Sequence, residues 1–199
     1  MRRAMKKIIT ISREFGAGGG EIGRRVADEL GYDYCDKELI LCSARDANID
    51  INQILAMDEK PPLVFGFTQS LFDMYNAPLD ERVFAAQKEI IRKLGERGKC
   101  VIVGRNANSI LKDFDNSLHV FIHADQYWRA ARLQKEKMPD KTEKEILDDI
   151  KIVDKRRQKY CSHYTNTEFG VSKHYDLCLS TSSLGIDKCV QIILDVARG

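Results

Sequence analysis

The run Lys6 to Leu30, KKIITISREFGAGGGEIGRRVADEL, constrains the fold more than any other stretch, because its residue pattern changes twice within a short span. Ile8, Ile9 and Ile11 form the β-branched apolar run expected of a central strand covered on both faces. Gly16, Gly18, Gly19 and Gly20 follow, so backbone N–H groups can converge there without Cβ obstruction. Next, Ile22, Val26, Ala27 and Leu30 share one helical face, while Glu21, Arg24, Arg25, Asp28 and Glu29 are expected to face water. Unpaired amides and the dipole at the start of such a helix favour an anion. The loop is therefore read as a phosphate cradle, with Ser12, Arg13, Gly16, Ala17, Gly18, Gly19, Gly20 and Glu21 as candidate contacts. The plainer alternative is a tight strand-to-helix turn that binds nothing.

The loop departs from the standard phosphate-binding pattern G-x-x-x-x-G-K-[ST], in which the lysine reaches the terminal phosphates and the hydroxyl holds magnesium. Laid over that pattern, Arg13 replaces the first glycine and Gly18 supplies the second. Gly19 replaces the lysine, and Gly20 or Glu21 takes the hydroxyl position. The two chemically active side chains are absent. A dinucleotide pattern, G-x-G-x-x-G, fits Gly16 and Gly18 only loosely.

At 199 residues with 43% hydrophobic content, the chain is expected to form one packed domain, 1–199. Its 32 basic and 30 acidic residues leave a net charge of +2, so no global field points to nucleic acid or an anionic membrane, and an anion site must be local. No apolar run approaches the roughly 20 residues that span a bilayer, and MRRAMKKIITIS runs straight into a strand without a signal peptide's apolar region. A cytoplasmic location is the expectation. Six cysteines, Cys35, Cys42, Cys100, Cys161, Cys178 and Cys189, are scattered without a C-x-x-C pair and read mostly as small core residues, Cys100 and Cys178 within buried strands. His119 and His123 share a strand face and read as a packed pair rather than as metal ligands, and no metal site is assigned.

After the first helix, YDYCD gives a second strand with Asp36 and Lys37 at its carboxyl end, the edge that faces the ligand crevice of a parallel sheet. Glu38 to Ala47 reads as helical. The segment from Asn48 to Pro78 reads as a loop whose Phe65, Phe67, Phe72 and Tyr75 either stack on a base or pin the loop to the core. A helix from about Asp80 to Gly95 buries Val83, Ile90, Ile91 and Leu94. KCVIVGRNANSIL is strand, turn and helix, with Arg105 leaving the strand end where a guanidinium can clamp a phosphate. SLHVFIHA is a strand, Gln126 to Lys137 a helix carrying Arg129 and Arg132, and Lys141 to Gln158 a charged helix ending in DKRRQKY. HYDLCLSTSS is the last strand and turn. Gly185 to Ala197 closes the chain as a helix with Ile186, Val190, Ile193, Leu194 and Val196 apolar. This alternation predicts an α/β fold, a three-layer, doubly wound, parallel sheet of five strands.

ITISREFGAGGGEIG, YCDKELI, VIVGRNA, the RRQKY segment and YDLCLSTSSLGI together resemble the cytidylate kinase-like family, within the P-loop nucleoside monophosphate kinases. The resemblance covers nearly the whole chain in order. It implies ATP as phosphoryl donor at the loop with Mg²⁺, and a nucleoside monophosphate such as CMP as acceptor. The acceptor region would be about 36–80, with contacts near Asp36, Lys37 and Arg105, and a helical lid would span about 138–168. Arg132, Arg156 and Arg157 fall on the lid side, which with Arg13 and Arg105 makes the candidate catalytic set. True cytidylate kinases carry the lysine where this chain has Gly19, and GRD where it has GRN with Asn106. Arg13 is the nearest replacement for the missing charge. A catalytically silent nucleotide-binding module and a kinase of another small metabolite are the rival readings.

Overall fold

The computed structural model describes residues 5–36 and 81–199; the expected helix at Glu38–Ala47, the aromatic loop after it and Lys37 lie outside the described residues. A five-stranded, all-parallel sheet forms from β1 (Ile8–Arg13), β2 (Asp33–Cys35), β3 (Cys100–Val103), β4 (Ser117–His123) and β5 (Leu177–Ser180), in the order β2-β3-β1-β4-β5. β1 is central, with Ile9 beside Val101 on one neighbour and beside Leu118 on the other. Among the described residues the α-helices are α1 (Gly19–Leu30), α2 (Glu81–Arg97), α3 (Ala107–Ile110), α4 (Gln126–Glu136), α5 (Glu143–Thr165), α6 (Thr181–Leu184) and α7 (Ile186–Arg198).

The β1 side chains alternate between two cores, as the pleat requires. Ile9 and Ile11 pack with Ile22 and Val26 of α1 and Val190 and Ile193 of α7. Ile8 faces the opposite side, with Ile90, Ile91 and Leu94 of α2 and Ile110 and Leu111 around α3. Full burial of such side chains stabilises by about 1.5–3 kcal/mol each, so both sheet faces hold helices strongly. A third cluster joins Phe15 to Ala130, Leu133 and Met138 around α4 and to Ile146, Ile150 and Val153 of α5. Gly23 lets α1 lie close to the sheet, since a Cβ there would stand 2.7 Å from Val103 Cγ2.

Helix ends follow local chemistry. Gly31 closes α1 in the left-handed conformation (φ 65°), with its N–H directed at the carbonyls of Ala27 and Asp28. Asp125 caps α4 by accepting from the N–H groups of Tyr127 and Trp128. Thr142 and Glu145 form a capping box at the start of α5. The sequence reading ended α5 at Gln158, but the helix continues to Thr165, because Tyr160, Cys161 and Tyr164 extend the inward stripe and Asn166 at φ 51° is the first residue to break it. Phe84 of α2 stacks on Tyr164 with ring centroids 4.0 Å apart, and the Tyr160 hydroxyl donates to Gln87 Oε1. The expected lid region thus contains a long helix fastened at one end to α4 and at the other to α2.

Two apolar assignments are corrected. Cys178 is exposed, because the side chain lies on the edge strand β5, and Val196 is exposed because it falls just outside the α7 stripe. The Glu89–Lys93 pair forms at 2.8 Å. Among the described residues no group of His, Cys, Asp and Glu side chains suits a metal ion, and no helix is long and apolar enough to cross a membrane.

His119 lies over Thr10, with Nδ1 2.8 Å from Thr10 Oγ1 and Nε2 3.0 Å from Ser117 Oγ. Burial pushes its pKa below the ordinary 6.5, against the opposing pull of Asp176. The unfolded chain therefore binds the proton more readily, and this contribution to stability, complete above pH 6.5, falls as pH drops through the lowered pKa. Chemical unfolding across that window should show a steeper loss for the native chain than for His119→Gln; equal slopes would contradict this account of the pair.

Candidate phosphate-binding cleft

Gly18 caps α1 at φ 87°, a left-handed conformation that opens the first turn of the helix toward the strand ends. The cleft in front of it has a volume of about 420 Å³. Its floor is the loop of Gly16, Gly18, Gly19 and Gly20, and its charged lining is Arg13, Glu14, Glu21, Arg24, Asp36, Arg132, Lys137 and Arg157. Cations thus outnumber carboxylates locally in a chain that is nearly neutral as a whole.

The carboxylates are largely committed. Glu21 accepts from Arg132 Nη2 at 2.7 Å, and Arg132 also meets Glu136 at 3.0 Å while its Nη1 lies 3.4 Å from the Gly16 carbonyl. Glu14 Oε2 accepts from the Ala124 N–H at 3.1 Å, with Arg129 Nε 3.6 Å away. Asp36 lies at the far side, beyond the end of β2 beside Tyr34. The Tyr34 hydroxyl donates to the Gly20 carbonyl, and the Arg24 guanidinium lies 4.4 Å from the ring centre. Burial, reinforced by Asp36, pushes that hydroxyl's pKa up, while Arg24 and Arg13 oppose the shift. Burial, reinforced by Arg132, pushes the Lys137 ammonium down.

The loop is held from above by residues outside it. Asp154 of α5 accepts from the Phe15 N–H at 2.8 Å through one oxygen and from Arg129 Nη1 at 2.6 Å through the other. Arg129 also donates to the Phe15 carbonyl. Arg157 Nη1 donates to the Arg13 carbonyl at 2.9 Å, and its guanidinium lies 5.8 Å from the Phe15 ring centre. Buried Arg129 and Arg157 and half-buried Asp154 therefore fix the backbone that enters the loop.

These positions sort the sequence-derived residues. Arg13, Gly16, Gly18, Gly19, Gly20, Glu21, Asp36, Arg132 and Arg157 come together around the cleft. Ser12 and Ala17 do not line it. Ser12 points to the other sheet face and meets Asn108 Oδ1 at 3.3 Å, and fully buried Ala17 presents its carbonyl to Thr181 Oγ1. Arg105 and Arg156 also lie outside the lining. Arg105 lies in a left-handed turn, with successive φ values of 80°, 61° and 55° at Gly104, Arg105 and Asn106. Arg157, expected near the helix end on the lid side, is buried within α5 because that helix runs on beyond it. Arg24, expected to face water, and Arg129, expected only as a helix residue, join Tyr34, Lys137 and Asp154, for which the sequence suggests no site role. Arg24, at Gly20+4, carries a helical-spacing signal toward the loop; the ion pair between Arg129 and Asp154 has none.

The family model described as the cytidylate kinase-like family matches residues 8–183. The chain belongs to that family. Among solved structures, an uncharacterized protein from Eubacterium ventriosum is 26% identical with a TM-score of 0.73, covering 96% of this chain and 97% of its own. Shikimate kinase from Bacteroides thetaiotaomicron is 14% identical with a TM-score of 0.56, covering 97% and 98%, a likeness of fold. No curated protein matches. The architecture is that of the P-loop small-molecule kinases, and family and fold together are of the kinase-type phosphotransferase kind. In this cytidylate kinase-like chain a left-handed Gly18 leads the glycine loop into α1, while the lysine and hydroxyl of the standard pattern are absent.

Breaking the clamp should loosen the whole site. Asp154→Ala leaves buried Arg129 only the longer contact to Glu14 at 3.6 Å and removes the acceptor of the Phe15 N–H, and loss of one partner of a buried pair costs up to about 3–5 kcal/mol. Urea unfolding should report a loss of that order; a change of less than about 0.5 kcal/mol, as at an ordinary surface site, would contradict the clamp.

Proposed function

We propose that this protein is a nucleoside monophosphate kinase that transfers the γ-phosphoryl of ATP to a pyrimidine nucleotide such as CMP. The observation that carries the reading is the convergence of Arg13, Arg132 and Lys137 on a glycine loop at a helix N-terminus, opposite Asp36. Amides of the loop take the donor phosphates, because the first turn of α1 leaves N–H groups without helical partners. Arg132 exchanges its contact with Glu21 for a phosphate oxygen as charge builds on the transferring group. An oxygen of the acceptor phosphate forms the new bond to the γ-phosphorus, the bond from that phosphorus to the β,γ-bridging oxygen breaks, and ADP leaves with the electron pair. No general base of unusual pKa is required, since transfer depends on positioning and charge stabilisation.

Magnesium, which neutralises phosphate charge, suits this cleft as an ion carried in by the nucleotide. Mg²⁺ keeps several waters and needs one or two carboxylates besides phosphate oxygens. Asp36 and Glu21 are the lining carboxylates in a position to serve, Glu14 being turned to Ala124 and Arg129. A silent nucleotide-binding module remains the second reading, favoured by the absence of amine and hydroxyl at Gly19 and Gly20.

The test is coupled turnover with ATP and Mg²⁺, offering CMP, dCMP, UMP, AMP and GMP in turn. Transfer to a pyrimidine nucleotide is expected, reduced about a hundred- to a thousandfold in Arg132→Ala, the cost of removing one charge-stabilising donor. Saturable ATP binding without transfer to any acceptor would favour the silent module instead.

A further inference from the structure

The two departures from the standard loop, an arginine where the first glycine belongs and a glycine where the lysine belongs, are physically one departure. A Cβ on Gly19 would stand 2.6 Å from Arg13 Cβ, 2.8 Å from Cγ and 3.6 Å from Cδ. Those atoms are the root of the arginine side chain, tied to β1, and cannot swing aside as a side-chain tip can. Any side chain at position 19, lysine included, therefore collides with Arg13 in this conformation. Gly19 is the floor along which the arginine stem runs.

The other end of the same side chain accounts for a second glycine. At Gly104, which ends β3 at φ 80°, an added Cβ would touch Arg13 Nη1 and stand 2.9 Å from Cζ. The guanidinium thus lies over the strand end between the loop and the Tyr34–Asp36 side of the cleft, which Arg13 also lines. Its backbone is fixed by Arg157 through the Arg13 carbonyl.

We infer that Arg13, Gly19 and Gly104 form one unit in which an arginine from the end of the central strand both replaces the phosphate-binding lysine and excludes it. Resting on the kinase reading, the unit places a planar fork between donor and acceptor, where two N–H groups can meet oxygens of the transferring phosphoryl group. A lysine from position 19 would supply a single flexible ammonium from the helix side instead. Arg13 is on this account a catalytic residue and Gly19 its steric counterpart.

The experiment is a double-mutant cycle on the full chain, comparing Arg13→Gly, Gly19→Lys and the combination of the two. Melting temperature and calorimetric binding of inorganic tripolyphosphate are the readouts, with phosphoryl transfer measured separately. Gly19→Lys alone should lower the melting temperature and abolish tripolyphosphate binding. Arg13→Gly alone should lose binding, whereas the double variant should recover both properties, with affinity within about tenfold of the native chain, the strong non-additivity expected of residues in contact. Arg13→Lys, which keeps the charge, should bind tripolyphosphate while losing transfer through loss of the fork. Additive effects, or native-like melting and binding in Gly19→Lys, would overturn the unit, as would absence of tripolyphosphate binding by the native chain. Absence of transfer with binding and non-additivity intact would remove the kinase reading and leave the reciprocal replacement standing.

Discussion

Asp154 is the constraint on which the geometry of the cleft depends. Its carboxylate takes the Phe15 N–H and the Arg129 guanidinium at once, which ties the start of the glycine loop to both α4 and α5. Glycines make the loop possible, but glycines alone would leave it many conformations, at roughly 1–2 kcal/mol of backbone entropy for each residue fixed. The fixing comes from a largely buried charged cluster hydrogen-bonded to the loop backbone, with Phe15 anchored among Leu133, Ile146 and Ile150 beside it. A helix in the region expected to form a lid is here the part that holds the glycine loop in shape.

This arrangement gives the proposed phosphate cradle a fixed backbone without a lysine at position 19. The amide donors are a property of backbone path, and the path is set by Gly18, Asp154 and Arg157 rather than by any residue at position 19. The cationic charge is then supplied from around the rim, by Arg13 from β1 and by Arg132 and Lys137 from α4 and its end. Glu21 and Glu136 orient Arg132, and on the proposed reading an entering phosphate would displace these carboxylates from its guanidinium.

The sheet was legible in the sequence because its signals are local and strong. Ile8, Ile9 and Ile11 announce a doubly covered strand, and the helical stripes of α1 and α7 give the layers on one face. Boundaries failed where local pattern and tertiary contact diverge. The end of α5 is one case, since a run of charges at Lys155 to Arg157 looks like a terminus until Tyr160 and Tyr164 find partners on α2. The site was half legible. Glycines and Arg13 stand out in the chain, but Lys137 enters the lining only through the reach of a side chain past the end of α4, which no sequence pattern marks. No spacing rule connects Arg129 with Asp154, which lie 25 positions apart and meet only once two helices have packed.

The central claim is that the loop amides themselves receive phosphate. Titration of the isotopically labelled protein with ATP, followed at the backbone amide resonances of Gly16, Gly18, Gly19 and Gly20, tests it most directly. The account predicts saturable shifts at these four amides and at Phe15, at a common nucleotide concentration. Saturable shifts confined to other parts of the chain, or none at the loop, would contradict it and return the glycines to the role of a turn.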